Sequence, residues 1–232
     1  MKTIGLIGGL SWESSIEYYR IINETVKERL GGLHSAECLL FSFDFAEIEA
    51  LQAAGDWETA THRMIAVARQ VERGGADGIL ICSNTMHRMA DDVKNAVDIP
   101  LLHIADATAG AIHAQGMHTI GLLGTRYTME GDFYKGRLIN QHELAVVIPE
   151  EPGRTTIHDV IYNELVKGII RDESRQQYQA IIQQLVAAGA QGIILGCTEI
   201  ELLISQPEHS PVPIFPTTYL HAVAAVDWAL DD

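Results

Sequence analysis

What this sequence has little of narrows the reading first. It holds 3 cysteines in 232 residues, too few for a disulfide framework, so a reducing compartment is expected. Lys and Arg together number 16 against 31 Asp and Glu, a formal charge of −15. Nucleic-acid binding rests on neutralising phosphates with basic side chains, and this deficit argues against it. No apolar run approaches the ~18 uninterrupted residues of a membrane span. The opening Met-Lys-Thr-Ile-Gly-Leu-Ile lacks the apolar length and cleavage site of a secretory leader. The histidines and cysteines form neither an H-E-x-x-H nor a C-x-x-C pairing, so no metal site is expected. What remains, at 47% hydrophobic and 20% charged residues, is a cytoplasmic α/β protein of one large or two small domains acting on a small molecule.

What the sequence does have is an internal repeat. Met1-Lys-Thr-Ile-Gly-Leu-Ile-Gly-Gly9 recurs as Met117-His-Thr-Ile-Gly-Leu-Leu-Gly-Thr125, identical at six of nine positions. Glu13, Arg20, Ile22 and Asn23 then fall on Glu130, Arg137, Ile139 and Asn140. Gly75-Ala-Asp-Gly-Ile-Leu-Ile-Cys-Ser-Asn-Thr85 falls on Gly189-Ala-Gln-Gly-Ile-Ile-Leu-Gly-Cys-Thr-Glu199, and Ile99-Pro100-Leu101 on Val212-Pro213-Ile214. Short apolar strands coincide by chance singly, but not as an ordered series. The chain therefore reads as a duplicated α/β half.

Each half carries the same punctuation. Apolar runs at 4–8 and 120–124 suit strands buried on both faces of a parallel sheet. Amphipathic helices follow at 57–72 and 174–188, ending at Gly74-Gly75 and Gly189, where left-handed caps are expected. Buried strands follow at 79–82 and 193–196. Strand and helix alternation predicts right-handed crossovers and helices on both sheet faces. A last helix at 219–230 returns to the first half. The prediction is two pseudo-symmetric three-layer α/β domains, residues 1–110 with 219–232 and residues 111–218, with the active site in the inter-domain cleft.

Ligands of open parallel sheets bind beyond the carboxyl ends of the strands. Four segments meet that rule: 8–14, 83–87, 124–128 and 197–200. Cys197 and Ser83 occupy equivalent places, each directly after a buried strand. A thiol at a helix start is expected to feel the positive dipole end, which lowers its pKa and favours thiolate. The bland alternative is a buried small residue. Cys82 reads as closing its strand and pointing away from Ser83, and Cys38 as core. Gly8-Gly9 fits neither dinucleotide nor phosphate-loop fingerprints. It reads as a tight turn whose N–H groups can approach a carboxylate. His87 could line the cleft, but a lone His more often reads as a capping or packing residue.

At this point the chain resembles the aspartate/glutamate racemases, the amino-acid racemases that work without pyridoxal phosphate. The resemblance is carried by Gly8-Gly-Leu-Ser-Trp-Glu-Ser14, Cys82-Ser-Asn-Thr-Met-His87, Leu123-Gly-Thr-Arg-Tyr-Thr128 and Gly196-Cys-Thr-Glu199. The first two are similar to the enterobacterial branch specific for L-aspartate and L-glutamate. The resemblance implies a homodimer, no cofactor, and two cysteines on opposite faces of the substrate Cα. Cys197 matches the second of these, but the first is Ser83 here, and a hydroxyl is a far weaker acid than a thiol. It also implies that Ser11, Asn84, Thr85, Thr125, Thr128, Thr198 and Glu199 help bind a dicarboxylic amino acid. Lys167 is similar to a family lysine that pairs with a substrate carboxylate, and Gln52 is placed to reach the distal one. Ser, Thr and Asn are also ordinary helix caps, and Lys167 before Gly168 an ordinary last-turn lysine. With a net charge of −15, attraction of a dianionic substrate has to come from local fields at helix ends and Lys167. Two other functions fit a single cysteine: a decarboxylase or isomerase of a small dicarboxylate, and a non-catalytic dicarboxylate-binding protein.

Overall fold

The computed structural model describes residues 1–205 and 208–231. Gln206, Pro207 and Asp232, counted within the two halves in the sequence reading, lie outside the described residues. The chain divides into two compact units, Met1–Ile104 with His221–Asp232, and Ala105–Leu220.

In the first unit, strands β1 (Ile4–Gly8), β2 (Cys38–Ser42), β3 (Gly78–Ile81) and β4 (Leu101–Leu102) form a parallel sheet in the order β2-β1-β3-β4. Leu6 sits between Leu40 and Leu80 in register. Alternation of side chains feeds two cores. Ile7, Ile79 and Ile81 meet Ile48 of α2 (Phe45–Ala54) and Met64, Val67 and Val71 of α3 (Trp57–Arg73). On the opposite face Ile4, Leu6, Leu80 and Cys82 meet Tyr18, Ile22 and Val26 of α1 (Trp12–Leu30). Ala222, Ala225, Val226 and Ala229 complete that face. They come from the part of the last helix that returns to this unit. The layers are therefore helix, sheet, helix. A short helix, α4 (Ala90–Lys94), follows a 3₁₀ turn at Thr85–Met89.

The second unit repeats the plan. Strands β5 (Thr119–Gly124), β6 (Ala145–Val147), β7 (Gly192–Gly196) and β8 (Ile214–Pro216) pair in parallel in the order β6-β5-β7-β8. Helices α6 (Arg126–Glu130), α8 (Gly153–Asn163) and α9 (Asp172–Ala187) pack on β5. Helix α5 (Ile104–Ala114) precedes the sheet, α7 (Lys135–His142) leads into β6, and α10 (Thr217–Leu230) leaves β8.

The duplication reaches the level of caps. After α3, Gly75 takes φ 98° and Ala76 N–H donates to Val71 O at 3.3 Å; after α9, Gly189 takes φ 102° and Ala190 N–H donates to Leu185 O at 3.0 Å. Glycine meets the positive φ without steric cost. Cys38, read as core, packs against the core on the α1 side and is half-buried, since β2 is the edge strand of its sheet. Among the described residues, no helix is long and apolar enough to cross a membrane.

Candidate active site

Because β1 and β3 are adjacent and parallel, the segments after Gly8 and Ile81 emerge side by side in the first unit. The same holds for β5 and β7 in the second. Ser11, Ser83, Asn84 and Thr85 stand on the first pair of strand ends, and Thr125, Thr128, Cys197, Thr198 and Glu199 on the second.

In the second unit the chain leaves β7 through Cys197, which is extended (φ −156°, ψ 131°) and opens a 3₁₀ turn at Thr198–Leu202. The Cys197 thiol donates to Glu199 Oε2 at 2.9 Å. This geometry overturns the expectation of a thiolate favoured by a helix dipole. Burial pushes the thiol well above its ordinary value, and the Glu199 carboxylate adds to the push. The Glu199 backbone N–H acts in the opposite direction, more weakly. Five residues of 3₁₀ turn supply little dipole, and the nearest full charge is negative. The resting group is a thiol hydrogen-bonded to a carboxylate. Such a pair can accept a proton at sulfur while passing its own to Glu199.

Thr125 caps α6, its Oγ1 accepting from Thr128 N–H at 3.3 Å and lying 3.2 Å from Thr128 Oγ1. Thr128 stands close to the end of β7: a methyl placed on Gly196 would meet its Cγ2 at 3.3 Å. Thr198 receives Thr218 Oγ1 at 3.5 Å. Lys167 ends a 3₁₀ turn, Leu165–Lys167, that packs beside the turn of Cys197. It is exposed, and Gly168 behind it takes the left-handed cap conformation. Tyr178 of α9 is within electrostatic reach of Cys197: its phenol, whose proton is held tightly chiefly by burial, donates to Ile157 O at 3.0 Å.

In the first unit Ser11 caps α1 at φ 144°, a strained conformation for a residue with a Cβ. Its Oγ accepts from Ser14 N–H at 3.3 Å and donates to Glu13 Oε2 at 2.9 Å. Gly9 has φ 69°, and a Cβ there would stand 2.2 Å from Phe43 N, so only glycine fits. Of the N–H groups of this turn, that of Gly9 donates to the buried Ser15 Oγ at 2.8 Å. Ser83 is half-buried, and its Oγ accepts from Met86 N–H at 3.4 Å. Asn84 and Thr85 are buried at the start of the 3₁₀ turn. Gln52 of α2 is buried, its Nε2 donating to Met86 Sδ at 3.1 Å on that turn. Cys82 is fully buried in the core, which drives its thiol pKa far upward and removes it from the chemistry.

Sequence reasoning placed Glu199 with the binding residues and missed its bond to Cys197. The available signal was a Cys-x-Glu spacing at a strand end, which puts the carboxylate within reach of the sulfur. No group of three or more His, Cys, Asp or Glu side chains among the described residues is placed to hold a metal ion.

One of the two parallel sheets thus ends, on the inner strand β7, in a thiol hydrogen-bonded to a carboxylate. The chain belongs to the Asp/Glu/hydantoin racemase family, a family of isomerases, with residues 7–225 matched. A crystal structure of a Yersinia pestis protein assigned as an Asp/Glu racemase is 54% identical, with a TM-score of 0.94 and both chains covered completely. An aspartate racemase homologue from Pyrococcus horikoshii is 32% identical, with a TM-score of 0.86 over 100% of both chains. The broad-specificity amino-acid racemase RacX of Bacillus subtilis is 25% identical over 162 residues, 68% of this chain and 67% of that protein.

Proposed function

We propose that the protein racemises aspartate or glutamate without a cofactor, as a cytoplasmic homodimer. Cys197 removes the Cα proton, and its own thiol proton moves to Glu199. Ser83, the equivalent position of the first half, returns a proton from the other side. By the division of labour that the family resemblance implies, Cys197 acts on the L-enantiomer and Ser83 on the D-enantiomer. A hydroxyl is the weaker acid and base, so the two directions are unequal. The α-carboxylate and ammonium are held by Ser11, Asn84, Thr85, Thr125, Thr128 and Thr198. Lys167 and Gln52 serve the distal carboxylate.

The observation that carries this reading is the Cys197–Glu199 hydrogen bond at 2.9 Å, at a strand end where the family motif Gly-Cys-Thr-Glu stands. Names given to the relatives, aspartate and broad-specificity amino-acid racemase, support the substrate class. Cys38, Cys82 and Cys197 are all free thiols, in keeping with a reducing compartment. Dimerisation is supported by a stripe on α1, where Trp12, Ile16 and Tyr19 are exposed at helical spacing.

A chiral assay of L- and D-aspartate and L- and D-glutamate tests the proposal. The wild type is expected to convert at least one L-acid to its mirror image, and Cys197→Ser to lose that conversion by about 10³-fold or more. Release of CO₂ from a substituted malonate with no loss of optical rotation from either amino acid overturns it in favour of the decarboxylase.

A further inference from the structure

Ser83 is held from behind by an imidazole. The Ser83 carbonyl receives His87 Nδ1 at 2.7 Å, and a carbonyl oxygen can only accept, so the Nδ1 carries the proton. The other ring nitrogen, Nε2, accepts from the Ile104 backbone N–H at 3.2 Å, and that group can only donate. Both contacts demand the same neutral tautomer. His87 is 1% exposed, and the bond to Ser83 closes the turn over four residues.

A second imidazole holds the same region with the opposite tautomer. His221 Nε2 donates to Leu102 O at 2.9 Å, and its Nδ1 accepts from the Tyr18 hydroxyl at 2.8 Å. The stretch after β4 is thus gripped at the Leu102 carbonyl by one histidine and at the Ile104 N–H by the other. His103 lies between these points, its ring 4.5 Å from that of His87, and His221 is 5.7 Å from His87 on another side. The rings interlock with few alternatives: turning His87 over would set N–H against N–H at Ile104 and leave the Ser83 carbonyl facing a lone pair. In the second half the matching position is Glu201, a residue with no proton to donate when ionised.

We infer that His87 is a positioning residue for the reaction: its Nδ1–H fixes the peptide of residue 83, and so the direction in which that side chain meets the substrate. The Ser83 Oγ also accepts from Met86 N–H at 3.4 Å, so both the carbonyl and the side chain of residue 83 are tied to the turn that follows. This inference rests on the racemase reading, and it extends that reading to a residue that touches no reacting atom. It predicts that damage at His87 falls on one face of the reaction.

The test uses the Ser83→Cys enzyme, in which both faces carry a thiol, with Cα hydrogen exchange in heavy water followed separately from each enantiomer. His87→Gln, whose amide sits near the Nε2 position and cannot reach the Ser83 carbonyl, is expected to slow exchange of the D-enantiomer by about tenfold while the L-enantiomer stays within about twofold. His87→Asn, which keeps an N–H near the Nδ1 position, is expected to restore the D-side rate. Equal losses on both sides, or no loss on either, overturn the inference. A second measurement needs no variant: ¹⁵N NMR of the wild-type imidazoles is expected to show His87 protonated at Nδ1 and His221 at Nε2, and a His87 protonated at Nε2 overturns the lock. Exchange of neither enantiomer by the Ser83→Cys enzyme would refute the racemase reading instead, and the NMR result decides the lock independently.

Discussion

The ends of β3 and β7 started from the same plan and diverged in chemistry. Both are inner strands of four-stranded parallel sheets, buried along their length and followed by a 3₁₀ turn of five residues. At one end a thiol gives its hydrogen bond to a carboxylate two residues on. At the other, a hydroxyl accepts from Met86 N–H in the turn, Thr85 stands where the carboxylate would be, and a histidine holds the carbonyl. Backbone architecture is thus shared, whereas the means of moving a proton are not. A duplicated fold can keep two matching strand ends while only one retains a thiol and an acceptor for its proton.

The sharpest way to break this comparison is to remove the acceptor. With burial and Glu199 both raising the Cys197 pKa, thiolate is scarce at neutral pH, and in the proposed mechanism proton removal depends on the carboxylate taking the sulfur's proton. Glu199→Gln can accept the S–H hydrogen bond but not the proton. It is expected to lower kcat/KM for the L-acid by about 10²-fold near neutrality. The sign of the pH dependence follows. Without the acceptor the thiol must ionise to solvent, so activity of the variant climbs with pH beyond the ordinary thiol range, while the wild type is flat there. A loss of less than about threefold, or unchanged pH profiles, would make Glu199 a substrate ligand and not a proton acceptor.

The comparison at β1 and β5 predicts a smaller effect, on stability. Gly9 and Thr125 are equivalent in the repeat, yet Gly9 has φ 69° with Phe43 N in the way of any Cβ, and Thr125 has φ −62°. Gly9→Ala is expected to cost about 2 kcal/mol or more, and Thr125→Ala about 1 kcal/mol through loss of the cap, both read from urea unfolding midpoints. Similar costs at both positions would mean that the two turns are closer in energy than their geometry indicates.

Much of the fold was legible because periodicity and repetition are local signals. The apolar runs of β1, β3, β5 and β7, and the glycines after α3 and α9, announce themselves in a few residues each. That Cys38 packs on the core yet is only half-buried was not legible, because burial of a strand depends on where it falls in the sheet, and its place at the edge is a long-range fact. The site was legible in part for the same reason. Ser83 and Cys197 could be paired by repeat alignment alone. The state of the Cys197 thiol could not, since it turns on a side-chain rotamer toward Glu199 and on burial, neither of which spacing encodes. Spacing likewise does not show that Gly9's N–H is taken by Ser15, six residues away. His87 looked like a packing residue until its two ring nitrogens found different partners.

The central claim is that one thiol–carboxylate pair does the proton removal, and that the hydroxyl opposite it in the repeat is the slower partner. The most direct measurement follows deuterium into Cα when wild-type enzyme meets L-aspartate or L-glutamate in heavy water, alongside optical rotation. The account predicts that the L-acid gains deuterium faster than it inverts, and that Cys197→Ser abolishes the gain. Absence of deuterium in either L-acid, or its undiminished incorporation by Cys197→Ser, would contradict it.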